Sequence, residues 1–105
     1  MKAKTNISII VLIGIANLLT FCTKPPVPCF ATDKGQTSRV NEEVQFDATC
    51  TTEATSYSWN YGDGNSGTGI TSKHKYQTVG TYIVTLTASN KGNSSIIEKN
   101  MAVTP

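Results

Sequence analysis

The residues able to carry covalent or acid–base chemistry in this chain are few, and each stands beside a competing use. His74 is the single histidine, so any triad or dyad in which an imidazole takes up a proton must be built on it. A serine nucleophile would need the sharp Gly-x-Ser-x-Gly turn, and Gly64-Asn65-Ser66-Gly67-Thr68 fails at its last position. A dyad of Cys50 with His74 would use a cysteine better placed for a disulfide. The run Gly62-Asp63-Gly64-Asn65-Ser66-Gly67 matches the Gly-x-Gly-x-x-Gly pattern of dinucleotide binding. That pattern works only where a helix follows to receive the pyrophosphate, and Thr68-Gly69-Ile70-Thr71-Ser72 has no helical pattern. Asn60, Asp63 and Asn65 offer oxygen ligands to a calcium ion, but an EF-hand loop opening at Asp63 requires a glutamate where His74 stands. Catalytic, cofactor-binding and metal-binding sites are therefore not expected.

The three cysteines have a simpler use. Lys2 and Lys4 precede an apolar run from Ile7 to Phe21, which is followed by Cys22 and the polar, Pro-rich Thr23-Lys24-Pro25-Pro26. A membrane-spanning helix needs about 20 apolar residues, so residues 1–21 read as a secretory signal peptide. Leu19-Thr20-Phe21-Cys22 resembles the lipobox of bacterial lipoproteins, with Phe21 standing where a small residue is usual. The resemblance implies a lipid anchor on Cys22 and an exported protein of the bacterial cell envelope, in its outer membrane. Cleavage nearby with Cys22 left free is the alternative, and the protein is then secreted. Cys29 and Cys50 remain as a pair, and an oxidising compartment favours a disulfide between them. Zinc would need about four ligands, and Cys29, Cys50 and His74 are too few.

The elements that position these residues read as strands. Val44, Phe46, Ala48 and Cys50 alternate with Gln45, Asp47 and Thr49; Tyr57, Trp59 and Tyr61 alternate with Ser56, Ser58 and Asn60. Such a period of two buries one face of a strand. In Thr81 to Asn90, Tyr82, Val84, Leu86 and Ala88 share one face while Ile83, Thr85, Thr87 and Ser89 share the other. Further strands are expected over 27–32 and 96–103, with a weaker one over 71–76. A turn near Arg39 and Val40 would fold strand 27–32 back on 43–50, bringing Cys29 nearly opposite Cys50. Residues 22–28, with Pro25, Pro26 and Pro28, form a stiff spacer after the anchor. Without the leader, roughly 84 residues remain, enough for one modest core and too few for two domains. Nine Lys and Arg face seven Asp and Glu over the whole chain. Lys2 and Lys4 leave with the leader, so the remainder is near neutral and lacks the basic patch of a nucleic-acid binder.

Four ordered blocks carry a family resemblance. Trp59-Asn60-Tyr61-Gly62-Asp63-Gly64 resembles the Trp-Asp-Phe-Gly-Asp-Gly signature of the PKD (polycystic kidney disease) domain. His74-Lys75-Tyr76 is similar to its His-Thr-Tyr, and Gly80-Thr81-Tyr82-Ile83-Val84-Thr85-Leu86 to its long Gly-Thr-Tyr-x-Val-x-Leu strand. Val44-Gln45-Phe46-Asp47-Ala48 fits its Val-x-Phe-Asp-Ala. The resemblance spans about residues 29–103 and implies an all-β, immunoglobulin-like two-sheet sandwich of about seven strands over 29–105. It also implies a non-catalytic role in protein binding or adhesion. Trp59 and Tyr61 would fill the core with Tyr57, and Gly62 and Gly64 would allow the turn that Asp63 closes. His74 would pack beside Tyr76, and Gly80 would begin the strand that carries Tyr82. An envelope or extracellular protein is the expected partner, docking on the face of Thr85 and Thr87 or on loops near Asn65 and Asn93. A carbohydrate-binding accessory role is the alternative, with polysaccharide as partner. It would favour exposed rings that stack on sugars, and Phe30 is the single ring not assigned inward.

Overall fold

The computed structural model describes residues 24–105. The leader expected over 1–21 and Cys22, the expected lipid site, lie outside the described residues. Eight strands are present: β1 (Ala31–Thr32), β2 (Thr37–Arg39), β3 (Glu43–Asp47), β4 (Ser56–Asn60), β5 (Ser66–Thr68), β6 (Thr71–Lys75), β7 (Gly80–Asn90) and β8 (Asn93–Thr104). They form a five-stranded sheet in the order β2-β8-β7-β4-β5 and a three-stranded sheet in the order β1-β3-β6. All pairs are antiparallel except β2 with β8.

The alternating pattern is realised at each of the long strands. Val44 and Phe46 from β3, Trp59 from β4, Val84 and Leu86 from β7, and Met101 and Val103 from β8 meet between the sheets with Phe30, Tyr61 and Tyr76. The Trp59 indole is 1 % exposed and sits edge-on to Phe30, centroids 5.1 Å apart. Its Nε1–H donates to Gly69 O at 2.8 Å, so the ring is buried without leaving its polar atom unpaired. Fully burying side chains of this size is worth about 1.5–3 kcal/mol each.

Three local outcomes differ from the pattern reading. First, the chain between β1 and β3 forms a strand, Thr37–Arg39, ahead of the turn expected near Arg39 and Val40. β1 pairs with β3, then the chain crosses to the other sheet and lays β2 parallel to β8, Thr37 opposite Ala102. It returns through a turn in which Glu42 N donates to Arg39 O and Asn41 takes φ 61°, a conformation asparagine tolerates. Second, Ser66–Thr68 is a short strand rather than loop, pairing with Ser58–Asn60. Third, the first strand is only Ala31–Thr32. Before it, Val27 exchanges two backbone bonds with Thr52 and Asn90 Nδ2 donates to Lys24 O, so the extended Pro-rich segment lies against the domain from Lys24 on.

Cys29 and Cys50 form a disulfide with their Cα atoms 5.4 Å apart, within the usual range. Beside it Thr51 Oγ1 accepts from Cys29 N at 3.0 Å and donates to Cys29 O at 2.8 Å. β1 and β3 pair Ala31 with Asp47 and Thr32 with Phe46, a register that carries Cys29 close to Cys50 as the spacing requires.

Candidate binding face

The motif residues come together on the inner side of the sandwich. Tyr61, at the end of β4, and His74, in β6, stack with ring centroids 4.1 Å apart and planes 5° from parallel. Tyr76 stands edge-on to His74 at 4.7 Å and stacks on Tyr82 at 4.5 Å. Its hydroxyl donates to Tyr61 O at 2.8 Å, and the Tyr82 hydroxyl donates to Thr78 O at 2.6 Å. Tyr61 and Ser72 join hydroxyl to hydroxyl. Burial first, then the neighbouring Asp63 charge and the Tyr61 and Tyr82 phenols, push the Tyr76 phenol far above its ordinary pKa.

Asp63 is held at both oxygens. Oδ1 accepts from Asn65 N at 3.1 Å, closing the turn, and Oδ2 lies 2.6 Å from His74 Nε2. Burial raises the Asp63 pKa, but the hydrogen bonds from His74 and Asn65 outweigh it, so the carboxyl stays below its ordinary value. Both carboxylate oxygens are thus engaged, and the carboxylate braces its turn against His74. The residue types hinted at this pairing, eleven positions apart, but the sequence reading kept Asp63 in its turn and His74 beside Tyr76.

The glycines of this segment have separate duties. Gly62 has φ +87°, and a Cβ there would lie 2.5 Å from Ile83 O, so the loop passes too close to β7 for a side chain. Gly67 faces inward, where a Cβ would run into the Tyr61 hydroxyl and Ser72 Oγ. Gly64, with φ +94° and nothing within 4 Å of where a Cβ would stand, serves the backbone turn alone, so the Gly-x-Gly-x-x-Gly spacing answers to turn conformation and packing together. Gly80 opens β7 opposite Val103, as its place in the motif implies.

Phe30 is the clear correction. Expected as the one ring free to meet a sugar, it is 2 % exposed, packed on Trp59 and Phe46 and covered by Lys99, whose Nζ donates to Phe30 O at 2.6 Å. The period-two signal was too short around Phe30 to reveal which way it faced.

The other side of the five-stranded sheet has a different composition. One cross-strand row reads Thr68, Ser58, Thr87, Ile96, and the next reads Ser66, Asn60, Thr85, Glu98. Ile83 lies opposite Asn100 beyond them. Strands stand about 4.8 Å apart, so these rows form a regular array of hydroxyl and amide groups. Ile83 and Ile96 are 53 % and 60 % exposed within it. Thr85 and Thr87 sit at its centre, on the face anticipated from the sequence; Asn65 and Asn93 lie at its margins.

With this geometry in hand, comparison with known families is decisive. A family model described as the PKD domain matches residues 23–104. This chain belongs to the PKD domain family. Among solved structures, this PKD domain superposes on a chain from a study of the promiscuous specificity of carbohydrate-binding modules of the β-sandwich superfamily. There the TM-score is 0.74 at 30% identity, covering 78% of this chain and 35% of that one. The chain thus spans about a third of that protein's length. It also superposes on the PKD1 domain of the Vibrio cholerae metalloprotease PrtV, with TM-score 0.63 and 26% identity over 78% of this chain and 100% of that one. The PKD1 domain of Vibrio anguillarum Epp aligns with TM-score 0.66 at 22% identity over 78% and 96% of the two chains, a likeness of fold. Comparison with curated protein sequences finds no match.

Proposed function

We propose that this PKD domain is a non-catalytic interaction module that docks an extracellular or envelope protein on the outer face of its five-stranded sheet. One observation carries the reading. Asp63 and His74, the residues that could do chemistry, are largely buried and bonded to each other, whereas the hydroxyl-rich outer face, with Ile83 and Ile96 exposed in it, is covered by no element among the described residues. Contacts to such a face would be hydrogen bonds to Ser58, Asn60, Thr85 and Thr87 around two aliphatic anchors. We further propose that residues 1–21 direct export and that Cys22 carries the lipid that holds the module at the envelope.

The carbohydrate reading is supported by the 30% identity to the chain from the carbohydrate-binding-module study. It is weakened by Phe30 and Trp59, both buried, which leaves the outer face without a ring. Capture from envelope extract, run beside a polysaccharide array, separates the two. A protein retained by the wild type and lost on Thr85→Lys with Thr87→Lys supports protein docking; retention of a polysaccharide alone transfers the function to the second reading.

A further inference from the structure

β7 covers one edge of β8 along its whole length, but β2 covers the other edge only at Ala102, Val103 and Thr104. The direction of the remaining backbone groups follows from the bonds present. Ala102 N donates to Gln36 O at 2.9 Å, and Thr104 O accepts from Val40 N at 2.9 Å, so the groups of both residues point away from β7. Backbone groups alternate along a strand. Those of Asn100, Glu98, Ile96 and Ser94 therefore point the same way, and Asn100 O indeed accepts from Gln36 Nε2 at 3.1 Å. On this edge the outward backbone N–H and C=O groups of Ser94, Ile96 and Glu98 have no hydrogen-bond partner among the described residues. No bulge bends the strand, since its register with β7 runs unbroken from Gly80↔Val103 to Asn90↔Asn93. Lys99, turned inward onto Phe30, guards only the Asn100 end. Such an unpaired edge is a template for another strand.

We infer that a second copy of this chain occupies the edge, its β8 antiparallel to the first about a two-fold axis through Ile96, so that two five-stranded sheets become one. The register follows from the residues. With the axis at Ile96, Ser94 of each copy lies opposite Glu98 of the other, and the outward N–H and C=O groups of Ser94, Ile96 and Glu98 all find partners, about six bonds in all. The two exposed Ile96 side chains then cover one another. A slip of the axis to Glu98 would set two carboxylates face to face. A slip to Ile97 would call on the Asn100 carbonyl, which Gln36 already holds. The near-neutral charge balance of the domain adds no long-range repulsion. In the chosen register the hairpin turn at Lys91-Gly92 of the second copy ends beside Asn100 and Met101, short of β2. A closed two-fold contact of this kind uses the same patch twice and stops at the dimer. This contact is made by the strand edge and shares Ile96 and Glu98 with the outer face, so a change on that face away from the edge separates the two.

Sedimentation equilibrium of the purified chain, carrying Cys22→Ser to remove the lipid and the third thiol, tests the dimer. The expected result is a monomer–dimer equilibrium that Ile96→Lys weakens at least tenfold at unchanged melting temperature, because two ammonium groups would face each other across the axis. Ser58→Lys, on the outer face and away from the edge, leaves the dimer intact while reducing partner capture. The axis is tested by oxidation. Ile96→Cys should link two copies, and Glu98→Cys, which lies opposite Ser94, should not. A chain that stays monomeric at the highest soluble concentration with no Ile96→Cys dimer, or one in which Glu98→Cys links as fast as Ile96→Cys, overturns the inference.

Discussion

The two sides of β4 and β7 divide the molecule into regions that obey different rules. Inward, Trp59 lies opposite Leu86 in a row that is closed to water; outward, one residue along, Ser58 lies opposite Thr87 in a row that is open. Inside, the polar groups of the motif have partners: Trp59 with Gly69, Tyr76 with Tyr61, Asp63 with His74 and Asn65. Outside, around Glu98 and the two isoleucines, the side chains are short, neutral and repetitive. Their distinction teaches that the motif by which this domain is recognised mainly builds the scaffold, and that of its signature only Asn60 reaches the open outer face.

That division can be broken most severely from the inside. Trp59→Ala should cost about 3–5 kcal/mol by leaving a large cavity, most of the stability of a domain this small, and urea denaturation would show it as a collapse of the midpoint. Reducing the Cys29–Cys50 disulfide should cost about 3 kcal/mol in the chain-entropy account. The measure is the fall in melting temperature on adding reductant, with two thiols then open to alkylation.

Smaller effects sharpen the boundary through pH. Asp63 has a depressed carboxyl pKa in the fold, so its contribution is complete above the ordinary carboxylate value near pH 3.8 and is lost as pH falls through the lower folded value. Tyr76 has a raised phenol pKa; its contribution is complete below the ordinary value of 10.0 and is lost as pH rises above it toward the folded value. Melting temperature followed across pH should show both limbs. Asp63→Asn should flatten the acid limb and Tyr76→Phe the alkaline one.

The strong alternation in Val44 to Cys50, Tyr57 to Tyr61 and Tyr82 to Ala88 made the sandwich and most of its core legible in the sequence, because burial of one face imposes a period of two. The Cys29–Cys50 pairing was legible for a related reason, since two antiparallel strands fix which residues can meet. β2 was not. A three-residue strand carries too little periodicity, and its place depends on pairing with Ala102, far along the chain. Phe30 was misjudged because its direction is set by Lys99 and Trp59 across the sandwich rather than by its neighbours. The brace between Asp63 and His74 was hidden for the same reason, as it joins a loop of one sheet to a strand of the other. The outer face could be read as a row of threonines and serines, but nothing in such residues names what they touch.

The smallest expected effect on stability falls on that face. Thr85→Lys and Thr87→Lys should each change stability by less than about 0.5 kcal/mol, as for surface substitutions that break no buried contact. These same variants give the most direct test of the central claim, that the motif supports the fold while the outer face binds. The measurement is partner capture from envelope extract by the wild type, by Thr85→Lys with Thr87→Lys, and by Asp63→Asn, each at a temperature where its melting curve shows it folded. Loss of capture in the outer-face variant with retention in Asp63→Asn is the predicted result; retention in the outer-face variant with loss in folded Asp63→Asn would contradict it.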